Sequence, residues 1–411
     1  MKRVKIYFIL IILLISLIYA TNITSMPDSL ILFQGETLNL NTALGIEVKE
    51  KNENAYQTTL VSSGAIEEDD FIGQMNIELE LLGLIPVKEV SVNVIPRTTV
   101  IPVGSSIGLK LYTNGVLVVG MSEIENIESN KLKPYQNSGI KEGDLIVCIN
   151  EKEITTTAEL VEQVNSSKGE NLNIKYVRNG GISVANIKPA KVSENEYKLG
   201  LWVRDAAAGV GTISFYEPST QGFAALGHGI LDIDTEELLS IATGEVVTTD
   251  ILSITKGEKG KPGEMKGSIV NQTTIGEISK NTEFGIYGKL TNLAALGISK
   301  ENELEVALRE EIQLGPAKIL CNLEGNTKKE YDIEIEKIYK NNNANNKSML
   351  IKVTDQTLLE KTGGIIQGMS GSPIIQNGKF VGAITHVLVN DPTKGYGVFG
   401  DIMIKQLREV N

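Results

Sequence analysis

The chain has 411 residues, room for two to three domains, and its 39 basic and 51 acidic side chains leave a net charge of −12. That balance disfavours a nucleic-acid partner, which needs a basic face, and a hydrophobic fraction of 41% excludes a disordered chain. Forty Gly beside 11 Pro, with many β-branched residues, predict a mainly β fold of short strands and tight turns.

Residues 1–21 form the first predicted element. Lys2, Arg3 and Lys5 precede Ile6–Ala20, which carry no charge, the order of a secretory leader or a short membrane anchor. As a helix this stretch rises about 22 Å, less than a hydrocarbon core of roughly 30 Å. No small-x-small site ends at Ala20, which favours an uncleaved anchor. Either way the basic start stays cytoplasmic and the rest is exported.

Residues 22–96 are predicted to be a small β region. Ser29–Phe33 and Glu78–Leu82 are strand candidates, and Glu89–Ile95 alternates with period two. No chemistry is expected there.

Residues 97–192 are predicted to be a second unit. Strands at Ile107–Tyr112 and Gly115–Val119 flank a turn at Thr113-Asn114, and Gly139-Ile140-Lys141-Glu142-Gly143-Asp144 leads into a buried strand. Thr156-x-x-Glu159 is a capping-box pattern ahead of Leu160, Val161 and Val164 at helical spacing. Asn179-Gly180 marks a hairpin. This order resembles a PDZ domain. The resemblance implies a ligand peptide added as a strand, its carboxylate bound by the loop Ser106-Ile107-Gly108-Leu109.

The remainder, residues 199–411, alternates short strands with Gly-rich turns, a length that suits two packed β-barrels. Thr235–Ser240 is predicted to form one helical turn. Its strongest chemical signal is Gln367-Gly368-Met369-Ser370-Gly371-Ser372-Pro373. A nucleophilic Ser must project from a tight turn beside free backbone N–H groups, and flanking glycines permit that. The pattern resembles the nucleophile loop of chymotrypsin-like serine proteases, with Ser372 where that loop has a second Gly. The resemblance makes Ser370 the nucleophile and the N–H groups of Gly368 and Ser370 the oxyanion hole.

With only two imidazoles in the chain, the general base must be His228, in Gly227-His228-Gly229, or His386, 16 residues after Ser370. His386 is better placed to line a substrate pocket. Acidic candidates for a third member are Asp232, Asp234, Asp250, Asp355 and Asp391. Asp355 ends a strand 15 residues before Ser370, and the order His228, Asp355, Ser370 is the one chymotrypsin-like enzymes use. Cys148 and Cys321 cannot build a disulfide framework or a zinc site, paired His ligands at metal spacing are lacking, and no cofactor is implied.

Together, GFAALGHGI around His228, the run from Val353 to Phe399 and the PDZ-like unit in front resemble the SpoIVB-type sporulation stage IV peptidases. The resemblance implies a serine endopeptidase with a triad at His228, Asp355 and Ser370. It implies export from the forespore into the space between two membranes and cleavage there of a membrane-bound inhibitor complex. That cleavage would release an intramembrane protease that activates the late mother-cell sigma factor. Self-processing near the N-terminus is also implied. The alternatives are a PDZ adaptor without catalysis and an HtrA-like quality-control protease, although that family places its PDZ domain after the protease.

Overall fold

The computed structural model describes residues 7, 21, 28–34, 46–50, 73–81, 83–96, 98–269, 272–325, 327–339 and 346–409. The predicted leader or anchor over residues 1–21 lies outside the described residues apart from Tyr7 and Thr21. Among the described residues no helix is long and apolar enough to cross a membrane.

The expectation of a mainly β chain with few helices holds. In the N-terminal region, strands Ser29–Phe33, Ile46–Glu50, Gly73–Leu81 and Ile85–Ile95 make one sheet. Its alternating residues Ile77, Leu79, Val90 and Val92 are fully buried.

Beyond this sheet the chain is organised by two long strands. Strand β1 (Ser106–Met121) and strand β2 (Leu201–Glu217) run antiparallel and pair along most of their lengths. Their barrel halves, Ser106–Tyr112 and Ala206–Glu217, close a ring with Gly222–Ala225, Gly285–Leu290, Thr274–Thr282 and Ile241–Val247. Ile107, Leu109 and Leu111 alternate into its core beside Ile213, Phe223 and Val246. Each such fully buried side chain contributes about 1.5–3 kcal/mol of transfer free energy.

The other halves of the same strands enter a different sheet. Val116 and Val118 join Ile146, Ile149, Ile174 and Leu172 in a separate core. This sheet runs Gly181–Ile187, Leu172–Arg178, Leu145–Ile149, β1, β2, and helix α1 (Thr157–Ser166) packs Leu160 and Val164 against it. The predicted local signals hold. Thr156 and Glu159 form a capping box, and Asn179 and Gly180 take φ of 49° and 75° at the hairpin. The buried Asp144 of the glycine-flanked motif is gripped by Arg178 at 2.6 and 2.7 Å.

Three sequence expectations do not hold. Thr113-Asn114 does not end a strand: β1 passes through, with Gly115 at φ 135° and the Thr113 hydroxyl donating to the Gly115 carbonyl. Residues 97–192 are not separate from the first barrel, because Ser106–Tyr112 is one of its strands and Thr99–Pro102 pairs with β2 beside it. The PDZ-like sheet is therefore inserted between two strands of that barrel. Thr235–Ser240 is not helical: the turn lies at 233–235, and Leu238 makes an isolated antiparallel bridge to Leu231.

The second barrel closes in the order Gly315–Glu324, Thr327–Ile338, Met349–Val353, Lys394–Phe399, Lys379–Val387, Pro373–Gln376. Its core includes Ile319, Ile333, Ile335, Ile351, Ile374 and Ile384.

Candidate active site

Ser370 sits on a turn whose neighbours Gly368 and Gly371 adopt φ of 99° and 97°, where a side chain would be strained. The turn is tied down on every side. Gly371 N–H donates to the Ile384 carbonyl at 2.7 Å and Gln367 N–H to Gly263 at 2.8 Å. Thr212 of β2 donates its N–H to the Ser370 carbonyl at 3.1 Å and its hydroxyl to the Gly368 carbonyl at 2.8 Å. Carbonyls are thus drawn away from the loop's open side. Among the described residues the N–H groups of Gly368 and Ser370 have no acceptor. Two free donors beside a Ser hydroxyl are what an oxyanion needs.

Ser372, the other hydroxyl of the motif, is fully buried, and among the described residues its Oγ has no partner. Ser370 lines the cavity and Ser372 does not.

That cavity, about 480 Å³, lies where the two barrels meet. His228 reaches it from the first barrel, on a turn where Leu226 and Gly227 have φ of 69° and 68°. A Cβ on Gly227 would press Thr385 and Val398 of the second barrel at 3.0 and 3.1 Å, so the glycine lets the barrels close up at this point. The His228 ring Nδ1 lies 2.8 Å from the Gly229 carbonyl. A carbonyl only accepts, so Nδ1 carries the proton and Nε2 keeps its lone pair. Burial pulls the His228 pKa below its ordinary value, and the Gly229 carbonyl opposes that pull.

His386 also lines the cavity, its ring 4.9 Å from that of His228. Its pKa is pushed down to about 4 by burial, then by His228 and Lys347. A neutral imidazole therefore stands beside the candidate base at neutral pH. Leu109, Leu111, Ile365, Ile366 and Val387 give the rest of the wall an aliphatic character. In this conformation the Ser370 hydroxyl donates to the Thr385 carbonyl at 2.7 Å, and its side chain lines the same cavity as His228.

Asp355 is elsewhere. Its carboxylate caps helix α2 (Gln356–Thr362), accepting the Leu358 N–H at 2.9 Å. It makes no hydrogen bond or ion pair with His228, and it does not line the cavity. Of the other acids, Asp232 is buried four residues after His228 and bonded to Arg204, and Asp391 accepts from the Thr393 hydroxyl.

The predicted peptide loop is also displaced. Ser106–Leu109 is paired on one edge with Gly209–Thr212, and Gly108 and Leu109 pair on the other with Val247 and Val246. Ile107, Gly108 and Leu109 are buried, so no ligand strand can be added there. The open edge is formed by Leu199-Gly200-Leu201 and the start of β2. Leu201–Val203 pair with β1 on one side, and among the described residues no strand pairs with the other. A cavity of about 330 Å³ separates that edge from α1, lined by Leu160, Val161, Val164, Leu199 and Leu201. Gly200 has φ of 78° and turns its carbonyl to the Ser122 N–H at 2.9 Å. The available signal was a second apolar-Gly-apolar triplet directly before a strand.

A PDZ-like sheet set into a two-barrel body, with a Ser hydroxyl, an imidazole and two free amides at the barrel junction, defines a PDZ-containing serine peptidase. The family model of SpoIVB peptidase S55 matches residues 195–404, just over half of the chain, and that of the PDZ domain matches residues 106–188. The chain belongs to the SpoIVB peptidase S55 family. Among solved structures it is similar to the PDZ domain of an SdrC-like protein from Listeria monocytogenes, at 20% identity over 22% of this chain and 87% of that one, TM-score 0.18. It is also similar to the inactive form of the Rv3671c protease, at 13% identity over 49% of this chain and 84% of that one, TM-score 0.26.

Proposed function

We propose that this chain is an exported serine endopeptidase of sporulation that cuts a membrane-bound regulatory protein in the space between forespore and mother cell. That cut would release an intramembrane protease and so activate the late mother-cell sigma factor. Family membership supports the setting. Ser370 and His228 line one cavity, and among the described residues the Gly368 and Ser370 amides have no acceptor; this supports the chemistry and carries the reading.

In the proposed reaction the Ser370 hydroxyl leaves the Thr385 carbonyl and gives its proton to His228 Nε2 as Oγ attacks the scissile carbonyl. The N–H groups of Gly368 and Ser370 receive the developing oxyanion. The imidazolium then protonates the leaving amine, and water repeats the cycle on the acyl-enzyme. The family resemblance gives Asp355 the task of holding the imidazole, while in the described conformation the Gly229 carbonyl holds its tautomer. Asp355→Ser separates these roles, because it keeps a capping oxygen and removes the charge. Cleavage that survives assigns Asp355 to the cap, and cleavage lost with the fold intact assigns it to the imidazole.

Ser370→Ala and His228→Ala are each expected to lower cleavage by several orders of magnitude, measured on a membrane-anchored partner protein. A fluorophosphonate probe should label Ser370 in the parent chain. An unlabelled, folded parent chain would instead mark a PDZ adaptor. N-terminal sequencing with and without Ser370→Ala reads self-processing and the fate of the anchor in the same preparation.

A further inference from the structure

Between the paired residues Arg204–Leu117 and Ala206–Tyr112, four residues of β1 face the single residue Asp205 of β2. This is where the two strands leave the first barrel and enter the PDZ-like sheet, and the Thr113 hydroxyl, shared between the Gly115 carbonyl at 2.6 Å and the Asp205 carbonyl at 3.0 Å, fastens it. The two side chains at this step point to different partners. Asp205 accepts the N–H of Thr157, the first residue of α1, at 2.6 Å. Arg204 grips Asp232 at 2.7 Å and Asp234 at 2.8 Å.

Both ends of this link matter. Helix α1 is one wall of the groove opposite Leu199–Val203. Asp232 organises the turn after His228: its carboxylate accepts the N–H groups of Asp234 and Thr235, each at 3.0 Å. Asp232 is buried, and without Arg204 its charge would keep only neutral donors, two backbone amides and the Thr235 hydroxyl, and lose the guanidinium that compensates for its desolvation. Farther along β2, Ala207–Val210 line the catalytic cavity and Thr212 holds the Ser370 turn.

We propose that Arg204 and Asp205 are positioning residues that couple the groove to the catalytic base, so that what occupies the groove sets the placement of His228. The proposal rests on the peptidase reading and adds its regulation. A strand added along Leu201–Val203 must press on α1, since the helix forms the opposite wall. Movement of the helix start is passed to Asp205 through the Thr157 N–H and to the His228 turn through Arg204. Coupling carried by a charged pair on a shared strand needs no motion of either barrel core.

The test fills the groove covalently, so that no natural ligand has to be known. Val161 lines the groove and is half exposed. In the full chain, with Cys148→Ser removing the one partly exposed thiol, Val161→Cys is reacted with N-phenylmaleimide and complete addition is checked by mass. The readout is the rate constant for fluorophosphonate labelling of Ser370. Filling the groove should change that rate by about fivefold or more, the lower range of ordinary coupling, and Arg204→Gln should abolish the change. Where Arg204→Gln does not fold, Asp205→Ala cuts the other end of the link and should abolish it equally. An unchanged rate after complete addition overturns the proposal, as does the same change in a folded Arg204→Gln or Asp205→Ala protein. Failure of the peptidase reading would look different, because Ser370 would then be unlabelled before any modification.

Discussion

Ile107-Gly108-Leu109 and Leu199-Gly200-Leu201 have the same apolar-Gly-apolar pattern on or beside the two strands that pair with each other, yet they do opposite things. The first is closed in on both edges by Val210 and Val247 and buried in the first barrel. The second leaves one edge of its strand open over a groove. The local pattern licenses close backbone approach in both places. The neighbours decide what can approach: two barrel strands close the first triplet in, whereas among the described residues no strand takes the free edge of the second. Peptide binding by strand addition is thus a property of an unfinished edge.

The sharpest way to break this comparison is to put a side chain on each glycine. A Cβ at Gly108 would meet Val247 at 2.7 Å and press on Ile269. Gly108→Glu also buries a carboxylate without a partner, costing several kcal/mol. It is expected to unfold the first barrel, so that cleavage of short soluble peptides disappears along with cleavage of the protein substrate. Retention of peptide cleavage in a folded Gly108→Glu protein would return the loop to the groove.

Gly200→Ala should be milder and confined. The residue is at φ 78°, and its Cβ would lie 2.7 Å from the Ser122 carbonyl. The resulting left-handed strain is roughly 1–2 kcal/mol. Amide hydrogen exchange should speed up along Leu199–Val203 and α1 while the second barrel stays protected. Uniform loss of protection across both barrels would mean that the groove edge is part of the main cooperative unit.

Acid offers a comparison of the opposite kind, between the groove and the barrel junction. Unfolded His386 titrates near 6.5, whereas in the folded chain burial, His228 and Lys347 hold it down to about 4. Between those values the unfolded state binds more protons. Stability is therefore fully present above about pH 6.5 and falls as the pH drops toward 4. Burial gives His228 a shift of the same sign. Urea midpoints at pH 7 and 4.5 should differ in the parent chain, and the difference should shrink in His386→Gln. An equal difference in both proteins would place the acid sensitivity elsewhere.

The range of the interactions involved determines how much of this was legible in the sequence. Thr156-x-x-Glu159, Asn179-Gly180 and the glycines around Ser370 act within a few residues, and each forms the local structure its pattern predicts. His228 and Ser370 could be singled out because the chain has only two imidazoles and because glycines flank Ser370, and both side chains line one cavity. The insertion of the PDZ-like sheet into a barrel was not legible, because one continuous strand serves both units and its sequence does not change character where it crosses. Asp355 illustrates the limit for acids. A carboxylate at a strand end before a helix suits an N-cap as well as a triad, and in this conformation it is bonded to Leu358.

The smallest effect tests how independent the groove wall is. Helix α1 is held at its start by two separate devices. Its own capping box sets the Thr156 hydroxyl on the Glu159 N–H at 3.2 Å and the Glu159 carboxylate on the N–H groups of Thr155 and Thr156. Asp205 of β2 supplies the other through Thr157. Thr156→Ala removes one capping oxygen and should cost about 1 kcal/mol, while Asp205 keeps the helix start in place. If so, thermal melting shifts by a few degrees and the response of Ser370 to a filled groove survives. If that response is lost with the cap, the helix start is held by its own capping box more than by the strand, and the link through Arg204 has to be weighed against it in a double-mutant cycle.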